Sequence, residues 1–160
     1  MMTTNNELKV SLPNDTDVLW ERSFDAPAAL VFDCLTKPDH VQRWMANYGY
    51  KLDATADIRV GGSFRYYFHN DAGESFVLSG DYLELDFPGR LVSTEGMGEG
   101  PDVPRATNVM TLEEREGRTY MTIVMSFPSQ QMRDEVLATG MEVGAGISYD
   151  QMDAYLKTLA

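Results

Sequence analysis

The sequence predicts an α+β domain in which an antiparallel sheet packs against a long C-terminal helix. Three observations carry this. Apolar and polar residues alternate strictly from Tyr50 to Val60, two hairpins bring their own turn chemistry, and the tail from Ser129 to Leu159 has a helical period. Alternation with period two marks a strand with one buried and one wet face, which antiparallel sheets commonly have. Val18, Trp20 and Phe24 suggest an opening strand, preceded by a piece at Leu8, Val10 and Leu12. Asp25-Ala26-Pro27 reads as a helix start, because proline is tolerated in the first turn. The helix Pro27–Thr36 would bury Val31, Cys34 and Leu35, and Pro38 opens a second short helix through Val41 and Trp44.

Gly61-Gly62 turns the chain into a strand Ser63–His69, and Asn70-Asp71-Ala72-Gly73 turns it into Glu74–Leu85. With Gly73 in the left-handed position of that loop, Phe68 falls opposite Phe76, Tyr66 opposite Leu78 and Phe64 opposite Gly80, all on one face. A shorter strand follows at Leu91–Glu95, then loop material at Gly96–Pro104 with three glycines and two prolines. That loop reads equally as a lid or as a plain surface loop. Asn108, Met110 and Leu112 alternate on one strand of a second hairpin, and Met121, Ile123, Met125 and Phe127 on the other, with Glu116-Gly117 as the turn. The tail breaks near Thr139-Gly140, after which Met141, Ala145, Ser148, Met152, Tyr155 and Leu159 make one apolar stripe.

The chain of 160 residues fits one domain, residues 1–160, with residues 1–15 as an N-terminal extension. Thirteen basic against twenty-five acidic side chains give a net charge of −12. Phosphate backbones and anionic lipid surfaces would repel such a chain, so neither nucleic acid nor a membrane is an expected partner. Asn5 and Asn6 stand where a signal peptide would need an apolar core. The one cysteine, Cys34, excludes an internal disulfide framework. A cytoplasmic protein is the expectation.

One strand, two short helices, about six further strands and a long helix make the helix-grip order, a curved antiparallel sheet of about seven strands wrapped around the last helix. Arg22-Ser23-Phe24-Asp25-Ala26-Pro27, Val31-Phe32 and Thr36-Lys37-Pro38 resemble the opening of the bacterial family named after the activator of Hsp90 ATPase. Arg43-Trp44, Asp57-Ile58-Arg59-Val60-Gly61-Gly62 and Gly80-Asp81-Tyr82-Leu83-Glu84 with Pro88 continue the resemblance. Gly140-Met141-Glu142-Val143-Gly144 and Tyr149-Asp150-Gln151-Met152 look like its closing helix. The resemblance implies membership of the START and Bet v 1-like group, whose domains hold lipids, sterols, hormones or polyketides between sheet and helix. It implies no single activity, since relatives include cyclases and transport proteins. Many relatives follow Arg-Trp with a second Trp and a Gly-Pro pair; here the residues are Met45-Ala46-Asn47, so the pocket mouth is expected to differ.

On that frame the apolar positions read as a cavity lining rather than core alone. Trp44, Phe64, Tyr66, Phe68, Phe76, Leu78, Tyr82, Glu84, Met110, Met125, Met141 and Met152 are the expected ligand-binding residues. Methionine adapts its shape, and tyrosine adds a hydroxyl to an apolar body. Glu84 is the carboxylate of interest: the register that buries Phe76 and Leu78 also turns it inward, where Arg22 would neutralise it. A bulge near Gly80 would instead return Glu84 to solvent and Leu83 and Leu85 to the core. His40 and His69 lack a third ligand at workable spacing, so no metal is expected, and Cys34 reads as a core thiol.

No catalytic residue and no cofactor is assigned. The favoured function is binding of a small apolar or amphipathic molecule. The alternatives are a cyclase- or hydrolase-type enzyme using Glu84, Arg22 and Tyr66 or Tyr82, and an interaction protein linked to Hsp90. Oligomeric state is left open, a homodimer included.

Overall fold

The computed structural model describes residues 6–159. Among them the elements run β1 (Lys9–Ser11), β2 (Asp17–Phe24), α1 (Ala28–Thr36), α2 (Pro38–Trp44), β3 (Lys51–Ala56), β4 (Ser63–His69), β5 (Ser75–Asp86), β6 (Arg90–Met97), β7 (Ala106–Arg115), β8 (Arg118–Ser126), α3 (Gln130–Leu137) and α4 (Met141–Leu159). Eight strands form one antiparallel sheet in the order β1-β2-β8-β7-β6-β5-β4-β3. About seven are expected from the sequence, and the eighth is the piece read at Leu8, Val10 and Leu12: Val10 lies opposite Trp20 at the sheet edge, within the segment read as an extension.

The β4–β5 hairpin has the predicted register, with Phe68 opposite Phe76, Tyr66 opposite Leu78 and Phe64 opposite Gly80. Its loop closes through an Asn70 N–H to Glu74 carbonyl bond of 3.1 Å, with Gly73 at φ +83°. In the β7–β8 turn, Glu116 and Gly117 are both left-handed, at φ 53° and 77°. Two successive positive φ values match the right-handed twist of the flanking strands. Ser129 caps α3 by accepting from the Met132 N–H at 3.1 Å, and Gly140 at φ +81° separates α3 from α4.

The strand predicted over Tyr50–Val60 stops at Ala56. Ile58 and Val60 are 36% and 59% exposed. The Asp57 N–H donates to the Ser63 carbonyl at 2.8 Å, and the Gly62 N–H donates to the Arg59 carbonyl at 2.8 Å. A Cβ on Gly62 would lie 2.0 Å from the Asp57 carbonyl oxygen, so only glycine allows this close turn. Backbone contact within the turn thus outweighs the apolar alternation.

The core falls into two clusters. The larger joins Phe24, Val31, Phe32, Val41 and Trp44 to Phe64, Tyr66 and Phe68 of β4, and to Met152 and Leu156 of α4. The smaller gathers Val18, Trp20, Ala106, Met125 and Phe127 under α3 and the first turns of α4. Among the described residues no helix is long and apolar enough to cross a membrane.

Candidate functional site

The two clusters adjoin at Ile123, which packs against both. Beside that contact lies a cavity of about 650 Å³, walled by the sheet on one side and by α3 and α4 on the other. Trp20, Met125, Phe127, Met132 and Met141 reach it from the smaller cluster, Trp44, Phe68, Phe76, Leu78 and Tyr149 from the larger, and Ile123 from their border. A mostly apolar concavity of this size suits a drug-sized molecule.

Six of the residues read from the sequence as ligand-binding therefore line the cavity: Trp44, Phe68, Phe76, Leu78, Met125 and Met141. Phe64, Tyr66, Tyr82, Met110 and Met152 do not line it. They share the inward face but pack into the solid part of the larger cluster, where α1, α2 and the second half of α4 close onto the sheet. Tyr66 and Tyr82 both pack their rings against Phe64 there, with centroids 4.8 and 5.7 Å apart. Burial lifts the Tyr82 hydroxyl to about 12 and carries that of Tyr66 well above its ordinary value.

The inward reading of Glu84 is corrected. The register of β5 against β6 shifts between Tyr82 and Glu84. One extra residue on β5 turns Glu84 to the surface, where its carboxylate pairs with Arg90 at 3.2 Å. Leu85 packs against the core, while Leu83 stays 47% exposed. Arg22 does not neutralise Glu84. Its guanidinium lies over the Phe24 ring and donates to Asp150 of α4 at 2.8 Å and to the Ser23 carbonyl at 2.8 Å. It ties β2 to α4 instead.

A different carboxylate reaches the cavity. Glu95, near the end of β6, lies on its wall together with Asn108 of β7. Loss of water around the carboxyl pushes its pKa up to about 7, against the opposing effect of the nearby Asn108 amide. Asn108 Oδ1 is buried without a hydrogen-bond partner. Tyr149 of α4, also on the wall, stacks on Trp44 with centroids 5.8 Å apart. Burial first, then the charge of Glu95, raises its hydroxyl above the ordinary range. The sequence carried a signal for this cluster. Glu95 is in phase with Leu91 and Ser93, and Asn108 with Met110 and Leu112, so two polar residues stand on an inward face.

The altered segment after Trp44 also belongs to the wall. Met45 and Asn47 line the cavity, and Asn47 Nδ2 donates to the Gly144 carbonyl at 2.9 Å and to Ser148 Oγ at 2.8 Å. Gln151 Nε2 donates to the Trp44 and Ala46 carbonyls at 2.7 and 2.8 Å. At the opposite rim, the segment following β6 is fastened to β5. The Gly98 N–H donates to the Val77 carbonyl at 2.7 Å, and Arg105 donates to the Ser79 carbonyl and hydroxyl. These bonds favour a fixed rim over a lid. His69 faces Asp53 at the surface, His40 contacts the Tyr155 hydroxyl, and burial pushes the Cys34 thiol up to about 11. Among the described residues no group of three His, Cys, Asp or Glu is placed to hold a metal ion.

A family profile described as Activator of Hsp90 ATPase homolog 1-like protein matches residues 25–157. The chain belongs to this family. Solved structures give the same helix-grip architecture. A protein from Rhodobacter sphaeroides superposes with a TM-score of 0.87 at 22% identity, covering 95% of this chain and 99% of that one. One from Mycobacterium smegmatis gives 0.80 at 25% identity, covering 92% and 95%. One from Nitrosomonas europaea gives 0.81 at 24% identity, covering 92% and 97%. A search of curated proteins returns no match. Family membership and the helix-grip fold are thus as the sequence motifs imply.

Proposed function

We propose that this member of the family binds a small apolar or amphipathic molecule in the cavity between the sheet and α4. The observation that carries the reading is the 650 Å³ space itself, left open beside the contact of the two core clusters. Protein interiors normally close-pack, and a void this large forfeits dispersion contacts on every side. A ligand that fills it restores them. Trp44, Phe68, Phe76, Leu78, Met125 and Met141 supply the apolar contact, and the thioethers adapt to irregular shapes. Native mass spectrometry of protein purified from cells tests this directly. A co-purifying small molecule lost in an Ala145→Trp variant, which fills the cavity, is the expected result; an unliganded protein that also fails to take up apolar probes counts against it.

Glu95 favours one second reading. A carboxyl titrating near neutrality on the wall of an apolar cavity is suited to general acid–base chemistry on a bound molecule. The reading replaces Glu84 with Glu95 as its acid. It predicts that a compound incubated with the protein is recovered altered in mass or isomeric form, and that Glu95→Gln abolishes the change. The co-chaperone reading draws on the family's name, and the cavity adds nothing to it.

A further inference from the structure

The first turns of α4 present two faces. Met141, Gly144, Ala145, Ser148 and Tyr149 line the cavity, whereas Glu142, Val143, Gly146, Ile147 and Asp150 line a separate open groove of about 450 Å³. The other wall of this groove is the edge of the sheet, at Glu7, Leu8 and Val10. β1 ends the strand order, so no described strand pairs with its outer side. Backbone groups along an open edge can take one more strand, about 4.8 Å further out. Every second side chain of that strand would turn toward α4, as those of Leu8 and Val10 do. There it would meet Ile147 and the exposed side chain of Val143. Gly146 leaves room between them, because nothing lies within 4 Å of where its Cβ would stand.

Charge narrows what fits. Three carboxylates, Glu7, Glu142 and Asp150, stand around the apolar floor, and no described lysine or arginine lines it. Asp150 Oδ1 accepts from Arg22 at 2.8 Å, yet its side chain stays mostly exposed. Lys9, one residue out of phase with Leu8 and Val10, stands on the opposite face of β1. Together with a net charge of −12, this rim favours a basic partner and repels an acidic one. We infer that the groove between β1 and α4 docks an extended peptide segment, added as a strand beside β1, which turns both apolar and basic side chains toward α4. Main-chain bonds to the edge supply affinity, and the side chains entering the groove supply selectivity. The site is separate from the cavity and does not depend on what the cavity holds.

The order along α4, a carboxylate, two apolar side chains and a second carboxylate, sets the probe. It is a capped heptapeptide, Lys-Thr-Val-Thr-Val-Thr-Lys, titrated into the full-length protein by calorimetry. It should bind at least about tenfold more tightly than the same peptide with glutamate for lysine, with serine for valine, or with methylated backbone nitrogens that cannot pair as a strand. Gly146→Met, which fills the groove without changing charge, should abolish binding, and Glu142→Lys should weaken it about tenfold. Asp71→Lys, a matched change at the exposed tip of the β4–β5 turn, should leave it unchanged. Circular dichroism verifies that the variants fold. Asp71→Lys weakening binding as much as Glu142→Lys would reduce the effect to general charge attraction and overturn the inference. Equal binding by the methylated peptide, or no binding by the lysine peptide, overturns it too. So does a dimer of the protein alone in sedimentation velocity that Gly146→Met breaks up, since the groove then belongs to a second copy.

Discussion

Glu95 of β6 and Asn108 of β7 lie diagonally across neighbouring strands, and both line the mostly apolar cavity. The pairing of Ser93 with Asn108 across β6 and β7 fixes this neighbourhood, because Glu95 then projects from the same face two residues further on. Its position has consequences for stability as well as for binding.

Burial raises the folded pKa of Glu95 from the ordinary 4.5 to about 7. The folded state therefore holds the proton more tightly than the unfolded chain. The stability this supplies is complete below about 4.5 and is lost as the pH rises to about 7. The loss is at most roughly 3 kcal/mol. Asn108 opposes the rise, and the charge of Glu95 in turn raises the hydroxyls of Tyr66 and Tyr149. Urea unfolding of wild type and Glu95→Gln, compared at a pH of about 5 and of about 8, should show the variant gaining on wild type at the higher pH. A difference between the two proteins that does not vary with pH would refute it.

Core and wall methionines should respond differently to truncation. Met152 is 0% exposed in the solid cluster, so Met152→Ala should cost about 2–5 kcal/mol by opening a new void. Met141 faces the existing cavity, and Met141→Ala merely enlarges it, for an expected loss of roughly 1–2 kcal/mol. Denaturant melts of the two variants rank them.

Asn47 joins the segment after α2 to α4 through two hydrogen bonds. Asn47→Ala should destabilise by about 1–2 kcal/mol. Hydrogen exchange should quicken in the segment Met45–Asn47 and around Gly144 before it changes in the sheet.

Within α4, Gly146 has nothing within 4 Å of where a Cβ would stand, and it does not line the cavity. Gly146→Ala should stabilise by about 0.5–1 kcal/mol, because alanine restricts the unfolded chain and favours helix. Thermal unfolding reads the gain, and ligand binding should be unchanged.

The sequence by itself determined the order of elements, the register of the β4–β5 hairpin, the turn at Glu116-Gly117, the break at Gly140 and the family. All of these depend on neighbours a few residues apart: side-chain period, glycine at left-handed positions, caps and short motifs. It also determined the inward phase over most strands and the last helix, and hence that Phe68, Phe76, Met125 and Met141 would face the interior. Only the tertiary structure decided which inward residues meet empty space and which meet one another. Phe64, Tyr66, Tyr82, Met110 and Met152 share a periodicity with the wall residues, but α1, α2 and the end of α4 close over them. It also exchanged Glu84 for Glu95. A bulge of one residue reverses the phase of everything after it, and it arises from the pairing of β5 with β6, which local pattern does not encode. The cavity itself follows from where the two core clusters touch and where they part, which no alternation of side chains records.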